Sequence, residues 1–205
     1  MPSTPILIVG AGPTGLVLAL SLARRGTQFR IISAASGPGE HSRAIVVQAR
    51  ILEFYQQFGF ADEIVNEGVR VNRARLREQD DNGSHDVASA SFADLGDGLS
   101  PFPFPLCYAQ DDHERFLVKK LANLGVVVEW NTQLLSFTDS GSEVHAALQR
   151  ADGSVEEATA SYICGCDGAH SVVRTTLGLN FPGGTYDQLF YVADVQREIK
   201  AVDEL

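Results

Sequence analysis

The segment Ile6-Leu7-Ile8-Val9-Gly10-Ala11-Gly12-Pro13-Thr14-Gly15 decides the fold, and the apolar run of residues 16–23 follows it directly. An apolar strand that leads into Gly-x-Gly-x-x-Gly and then into a helix is typical of a dinucleotide-binding turn. Gly26, just after the run, predicts the end of that helix. A glycine-rich turn without a ligand is the simpler alternative, but the strand before it and the helix after it favour nucleotide binding.

Each of the three glycines meets a separate steric demand. Gly10 permits the tight turn, and Gly12 lets the backbone approach a pyrophosphate because it has no Cβ atom. Gly15 allows the helix to pack closely against the strand. The helix directs its free N–H groups and the positive end of its dipole at the phosphates, so the sequence predicts a phosphate site at this turn.

The composition is that of a folded, acidic protein of 205 residues, enough for one domain or for one domain and part of another. Hydrophobic residues make up 44%, and the net charge of −10 argues against nucleic acid or an anionic membrane as partner. The N-terminus lacks the basic region of a signal peptide, and no apolar run could span a bilayer. Three cysteines give no disulfide framework, so we expect a cytoplasmic protein.

The second predicted strand, residues 28–32, ends at Ser33. A dinucleotide fold usually carries an Asp or Glu here, about 20 residues past the glycines, to bind the adenosine ribose. A neutral hydroxyl in its place forfeits about 1 kcal/mol, which is about a fivefold loss of affinity. Alternatively, the missing acid admits a 2′-phosphate with Arg30 or Arg43 as its partner, which leaves an NADP site open. A solvated Arg43 is the simpler interpretation of that residue.

Two helices are predicted between residues 41 and 125, each with apolar residues at helical spacing and a glycine at its end. The first has Ile51, Tyr55 and Phe58 before Gly59, and the second has Leu117, Leu121 and Leu124 before Gly125. Asp111 and Glu114 resemble a capping box at the start of the second helix, and His113 is expected to be a solvated helix residue.

The stretch between these helices predicts a hairpin and a connector. Residues 70–79 and 84–92 are the predicted strands, joined at Asn82-Gly83, which is a strong hairpin turn signal. Residues 101–105, Pro-Phe-Pro-Phe-Pro, favour an extended connector over the aromatic lip of a substrate pocket, because proline is a general loop former.

From Val126 the apolar residues recur with period two. Residues 126–130 predict a buried strand, and 132–138, 144–150 and 154–161 predict an antiparallel three-stranded meander. The following stretch is Tyr162-Ile163-Cys164-Gly165-Cys166-Asp167-Gly168-Ala169-His170-Ser171-Val172-Val173-Arg174. It predicts a short apolar strand that ends in Asp-Gly, with Ser171 as the N-cap of a helix. Its cysteines and histidine lack the spacing of a zinc site, so we expect no metal and interpret the cysteines as small buried strand residues.

Four segments occur in the order and spacing seen in the class A flavoprotein monooxygenases. They are Gly10 to Gly15, Ser42-Arg43-Ala44, Gln110 with Glu114-Arg115, and Cys166 to Arg174. Over essentially its whole length the chain resembles this family of FAD-dependent aromatic hydroxylases, which includes p-hydroxybenzoate, phenol and polyketide ring hydroxylases. The segment from Asp167 to Arg174 is the most specific part of the resemblance.

The resemblance implies an α/β fold of the Rossmann-like, glutathione-reductase type with an inserted antiparallel meander. It implies FAD as the cofactor, NADPH as a transient reductant and a small aromatic molecule as the substrate. Asp167 would lie near the pyrophosphate and shape the approach of NADPH. No catalytic residue and no metal ligand is assigned. The implied cofactor-binding residues are Gly10, Gly12, Pro13, Thr14, Gly15, Ser33, Arg43, Gln110, Asp167 and Gly168.

Chains of this family continue through a substrate domain and a second Gly-Asp motif. We therefore expect residues 1–180 to form the FAD-binding domain and residues 181–205, with a strand at 189–195, to begin a truncated substrate-binding domain. The chain is then a fragment, a truncated product or half of a split enzyme with a complementary C-terminal half, and alone it is weakly active or inactive. Two alternatives stay open: a non-catalytic nucleotide-binding or interaction module, and an oxidoreductase that binds NADP directly.

Overall fold

The computed structural model describes residues 3–40, 46–80, 83–92, 98–184 and 186–189. Contacts divide the chain into two compact units. The first comprises Met1–His41 and Asp111–Phe190, and the second comprises Ser42–Gln110 and Tyr191–Leu205. No helix within the described ranges has both the length and the apolar character needed to cross a membrane.

The chain contains both helices and strands. The helices are α1 (Pro13–Arg24), α2 (Ala49–Phe58), α3 (Ala61–Glu67), α4 (Gln110–Asn123) and α5 (Val172–Thr176), and a 3₁₀ turn covers Gly168–His170. The strands are β1 (Ser3–Val9), β2 (Arg30–Ile32), β3 (Val46–Val47), β4 (Val69–Arg70), β5 (Arg73–Asp80), β6 (Gly83–Ser91), β7 (Leu106–Cys107), β8 (Gln133–Asp139), β9 (Val144–Gln149) and β10 (Val155–Gly165).

The first unit is built on a five-stranded mixed sheet in the order β2-β1-β10-β9-β8. Strand β1 pairs in parallel with β2 and with β10, whereas β9 pairs antiparallel with both β10 and β8. Strand β10 takes part in both patterns, since its residues 155–160 pair with β9 and its residues 159–165 pair with β1. The last meander strand and the short apolar strand before Asp167, which the sequence predicts separately, are therefore one continuous strand.

Different elements cover the two faces of the parallel strands. Leu7 and Val9 belong to a buried cluster with Val173 and with apolar residues of β8, β9 and β10. Ile8 points to the opposite face because side chains alternate along a strand. Helix α1 packs against β1 and buries Leu16, Ala19 and Leu20, and burial of each leucine stabilises the fold by about 1.5–3 kcal/mol. The predicted α/β class is confirmed.

The helix ends follow the predicted glycines. Gly26 and Gly125 have φ of +67° and +76°, and Gly59, with φ of +80°, is the C-cap of α2. Only glycine adopts this left-handed conformation without strain, which is why each of these residues ends its helix.

The second unit contains α2, α3, the small sheet β3-β7-β4 and the antiparallel pair β5-β6. Tyr55, Phe58 and Phe60 form an aromatic cluster, with ring centroids 5.1 to 6.4 Å apart. The pair β5-β6 is the predicted hairpin, although Asp81 and Asn82 of its turn lie outside the described residues. The proline-rich segment 101–105 adopts neither helix nor strand, as the connector interpretation requires.

Some predicted elements differ from the structure. Residues 126–130 do not form a buried strand: a single parallel bridge joins Ile32 to Glu129, and Val127 is 78% exposed. Helix α3 and the two-residue strands β3, β4 and β7 are too short for a periodic signal and were not predicted. Of the predicted strand 189–195, only Leu189 belongs to the described residues.

Candidate functional site

The turn between β1 and α1 is built around Gly10. This residue has φ of +105°, and its N–H donates to the carbonyl of Ile32 at 2.9 Å. A Cβ atom at this position would lie 2.2 Å from the carbonyl oxygen of Cys166. Both the backbone conformation and the contact with the end of β10 therefore require glycine.

Gly15 and Gly12 differ sharply in their surroundings. A Cβ on Gly15 would lie 1.9 Å from the carbonyl oxygen of Gly10, so the close approach that Gly15 allows is to the turn itself. A Cβ on Gly12 would have no described atom within 4 Å apart from its chain neighbours. Space is thus left in front of Gly12, at the N-terminus of α1.

That N-terminus offers free backbone donors. Gly12 is the N-cap of α1, and no side chain of the described residues caps it. Pro13 has no N–H, and the first intrahelical bond runs from the N–H of Leu16 to the carbonyl of Gly12 at 3.0 Å. The N–H groups of Thr14 and Gly15 therefore have no intrahelical acceptor, which is the arrangement that binds phosphate at helix N-termini.

The Asp-Gly turn lies directly beside the glycine turn. The N–H of Cys166 donates to the carbonyl of Val9 at 2.7 Å, and the amide nitrogen of Asp167 would be 2.8 Å from a Cβ on Gly10. Gly168 has φ of +76° and begins the 3₁₀ turn. Sequence positions more than 150 residues apart thus form one continuous edge at the ends of β1 and β10.

The carboxylate of Asp167 organises the loop that follows it. Its Oδ1 accepts from the hydroxyl of Ser171 at 2.5 Å, and its Oδ2 accepts from the N–H of Val172 at 2.7 Å. The Ser171 hydroxyl in turn accepts from the N–H of Arg174 at 2.9 Å, so Ser171 is the N-cap of α5 as predicted. Both oxygens of Asp167 are used to hold the start of α5 against the glycine turn.

Ser33 lies at the carboxyl end of β2, the same edge of the sheet. Its N–H donates to the carbonyl of Glu129 at 3.0 Å, and its carbonyl accepts from the N–H of Thr132 at 2.8 Å. Its hydroxyl accepts from the N–H of Ala35 at 3.3 Å. Ser33 is half-buried, and its hydroxyl makes no other hydrogen bond to the described residues, so the hydroxyl proton remains available to a ligand.

Arg30 is held in an ion-pair network, which argues against its predicted role as the partner of a 2′-phosphate. Its guanidinium donates to Glu129 at 2.7 and 2.8 Å and to Glu156 at 2.8 Å. Arg150 contacts the same two carboxylates. The hydrogen bonds that Arg30 donates to Glu129 raise the pKa of Arg30 above its ordinary value. Because two carboxylates already neutralise Arg30, it is a poor partner for a 2′-phosphate. The other predicted partner, Arg43, lies outside the described residues.

The start of α4 differs from the predicted capping box. The helix begins at Gln110, and the carboxylate of Asp111 pairs with Arg115 at 2.5 Å. Glu114 is only 7% exposed and accepts from the N–H of Gly39 at 2.8 Å, so it binds a loop that is 75 positions away in the sequence. His113, expected in solvent, is 7% exposed, and burial lowers its pKa to about 4 despite the nearby carboxylate of Glu114.

The cysteines near the turn are half-buried thiols. Burial raises the pKa of Cys164, and burial together with Cys164 and Asp167 raises the pKa of Cys166. Both thiols are therefore protonated and weakly nucleophilic at neutral pH. No cluster of three or more His, Cys, Asp or Glu side chains suited to a metal ion occurs in the part of the chain that the structure describes.

Sequence reasoning found the glycine turn, Ser33 and the Asp-Gly turn, and the structure places them along one edge of the sheet. It missed the bond between Glu114 and Gly39 and the network around Arg30, which join residues 75 and 99 positions apart. Glu114 lies at helical spacing from Leu117 and Leu121, and this was the available signal, but the capping pattern explained the acid locally.

Comparison with known proteins indicates a FAD-binding domain over almost the whole chain. A family model described as FAD binding domain matches residues 3–204. The chain is 37% identical over 197 residues to 6-methylpretetramide 4-monooxygenase of Streptomyces rimosus, an alignment that covers 93% of this chain and 33% of that protein. It spans about a third of the length of the curated relatives that it matches.

Solved structures share the fold. The p-nitrophenol 4-monooxygenase of Pseudomonas putida superposes with a TM-score of 0.81 and 26% identity, covering 91% of this chain and 46% of that one. Aklavinone-11 hydroxylase, solved with FAD and aklavinone, superposes with a TM-score of 0.73 and 30% identity, covering 85% of this chain and 35% of that one. The relatives are FAD-dependent monooxygenases, and the chain belongs to their family of FAD-binding domains.

Proposed function

We propose that this chain is the FAD-binding part of an NADPH-dependent monooxygenase that hydroxylates an aromatic or polyketide-like ring. The observation that carries the proposal is the glycine turn, where the N-terminus of α1 offers free N–H groups beside the open space at Gly12. A diphosphate fits this donor set because it is anionic and needs close backbone approach.

The residues divide into four roles. The pyrophosphate of FAD would be held by the glycine turn, which comprises Gly10, Gly12, Pro13, Thr14 and Gly15. The hydroxyl of Ser33 would donate a hydrogen bond to an oxygen of the adenosine ribose. Gln110 and Arg43 would contact the cofactor as their positions in the family motifs imply. Asp167 and Gly168 would act by fixing the loop before α5 beside the pyrophosphate, since both carboxylate oxygens of Asp167 are engaged within the loop.

When bound, FAD accepts reducing equivalents from NADPH and activates O₂ for ring hydroxylation. The described residues supply binding and orientation. Exclusion of water from the reacting groups requires more surface than this edge of the sheet provides. We therefore propose that the ring binds with the help of a complementary C-terminal polypeptide. The exposed apolar side chains of Leu177, Leu179 and Phe181, which are 53%, 60% and 70% exposed, support a covering partner.

The test is a pair of glycine-to-alanine substitutions, of which only one is expected to weaken FAD binding. At Gly12 the added methyl meets no described protein atom within 4 Å but enters the space in front of the α1 N-terminus. We expect Gly12→Ala to keep the thermal stability of the chain and to weaken FAD binding at least tenfold. The measurement is the visible absorption spectrum of flavin that stays with the protein through gel filtration, followed by a FAD titration.

Gly183→Ala is the matched control, because a Cβ at Gly183 also has no described atom within 4 Å. It is expected to bind FAD like the unmodified chain. Equal FAD affinity in the unmodified chain and the Gly12→Ala variant would contradict the assignment of the phosphate site. If the unmodified chain is colourless and does not bind added FAD, the result would favour the alternative of a non-catalytic interaction module.

A further inference from the structure

Helix α4 carries a buried acid that the proposed roles do not use. Glu114 is 7% exposed, and its Oε2 accepts from the backbone N–H of Gly39 at 2.8 Å. A buried carboxylate is costly unless hydrogen bonds compensate for its lost hydration. A bond from a neutral N–H to a carboxylate is stronger than one between two neutral groups. This contact therefore fixes the position of Gly39 against α4.

Gly39 belongs to the loop of residues 33–40, which leaves the sheet at the candidate site. The loop starts at Ser33, directly after Ile32, whose carbonyl accepts from the N–H of Gly10. Ligands of open α/β sheets bind in the crevice beyond the carboxyl ends of the strands. The loop thus borders the region in which the adenosine part of a dinucleotide is expected.

The loop is fixed to the rest of the first unit at two points. At its start, Ser33 bonds to Glu129 and Thr132, and the carbonyl of Ala35 accepts from the N–H of Asn131 at 2.8 Å. At its far part, Glu114 holds the N–H of Gly39. Between these points Pro38 fixes only its own φ, whereas Ser36 and Gly37 leave the rest of the turn adaptable. The second attachment therefore decides the course of the loop.

Arg115 supports the same attachment from the next position of α4. Its guanidinium lies 3.5 Å from the carbonyl oxygen of Gly39 and is paired with Asp111 and Asp112. Arg115 is about half exposed, and its contact is longer than that of Glu114, so Glu114 is the main attachment.

We propose that Glu114 is a positioning residue for cofactor binding, which holds the far part of the loop 33–40, around Gly39, at the adenosine side of the FAD site. The proposal rests on the proposed function of the glycine turn. Glu114 acts through the Gly39 amide and does not touch the cofactor itself.

The experiment compares three variants of the full chain. Glu114→Leu removes the hydrogen-bond acceptor and fills the buried position with an apolar side chain of similar size. We therefore expect the Kd for FAD to rise about tenfold. Glu114→Gln keeps an oxygen acceptor and should stay within about threefold of the unmodified chain. Leu121→Ala, at a fully buried position of the same helix, lowers the stability without changing the contact with Gly39. It should leave the Kd for FAD unchanged at a temperature where every variant is folded.

Amide hydrogen exchange of residues 35–39 without FAD gives an independent readout. Glu114→Leu should lose protection at Gly39, whereas Leu121→Ala should keep it at equal folded fraction. Unchanged FAD affinity of Glu114→Leu, or an equal rise in Kd for Leu121→Ala, overturns the positioning role while the FAD site stands. If the unmodified chain binds no FAD, the proposed function fails and this inference fails with it.

Discussion

At the scale of single residues, Ser33 distinguishes this site from the usual dinucleotide site, which has an acid at the end of the second strand. The Ser33 hydroxyl accepts from the N–H of Ala35 and has one O–H group to donate to a ligand. A carboxylate there would accept from both ribose hydroxyl groups and form charge-assisted bonds.

We expect Ser33→Glu to strengthen FAD binding about fivefold, which corresponds to about 1 kcal/mol. Titration of the protein with FAD, followed by flavin fluorescence, measures the change. Ser36→Glu is the matched control, because it makes the same substitution at an exposed serine of the same loop. An equal gain for both variants would show that the effect is one of overall charge and that Ser33 does not meet the ribose.

At the scale of elements, the network of Arg30, Arg150, Glu129 and Glu156 joins β2, the segment before β8, the residue after β9 and strand β10. Arg30→Met would leave two half-buried carboxylates with Arg150 as their remaining partner. We expect the free energy of unfolding to fall by about 1–3 kcal/mol, measured by urea denaturation. Arg50→Met, which removes a pair on the exposed surface of α2, should cost less than about 1 kcal/mol. Similar losses in both variants would contradict a structural role for the network.

The elements also show how far sequence reasoning reaches. The glycines at the ends of α1, α2 and α4 correctly predicted where these helices end, because the left-handed conformation depends on the glycine itself and not on distant contacts. The capping box at Asp111 and Glu114 was a local pattern too, but the buried carboxylate found a partner 75 residues away. Residues 126–130 have the composition of a buried strand, yet only Glu129 bridges β2, and Val127 faces solvent. Such outcomes depend on contacts between distant segments, which single-sequence patterns do not report.

At the scale of the whole molecule, buried His113 makes the stability of the fold depend on pH. Its pKa is lowered to about 4 by burial, against about 6.5 in the unfolded chain. Between these pH values the unfolded chain binds a proton that the folded chain does not, so stability falls as the pH decreases from 6.5 to 4. The loss approaches about 3 kcal/mol at the lower end.

The measurement is the free energy of unfolding at several pH values between about 4 and 7, the range in which the histidine titrates. His113→Leu should flatten the dependence, whatever its effect on stability at neutral pH. Leu121→Ala, which changes a buried position of the same helix and removes no titratable group, should keep the slope of the unmodified chain. An unchanged slope in His113→Leu would assign the acid sensitivity to other groups.

The pairing of strand β10 with both β9 and β1 limits the sequence changes that the protein tolerates. Its first residues set the register of the meander, and its last residues set the place where the Cys166 carbonyl meets Gly10. Insertion or deletion of a single residue between Val155 and Gly165 would reverse the facing of every later side chain. The turn at Asp167 would then no longer fit beside the glycine turn. Exposed positions of this strand should therefore tolerate a change of side chain, whereas a change in the length of the strand should not be tolerated.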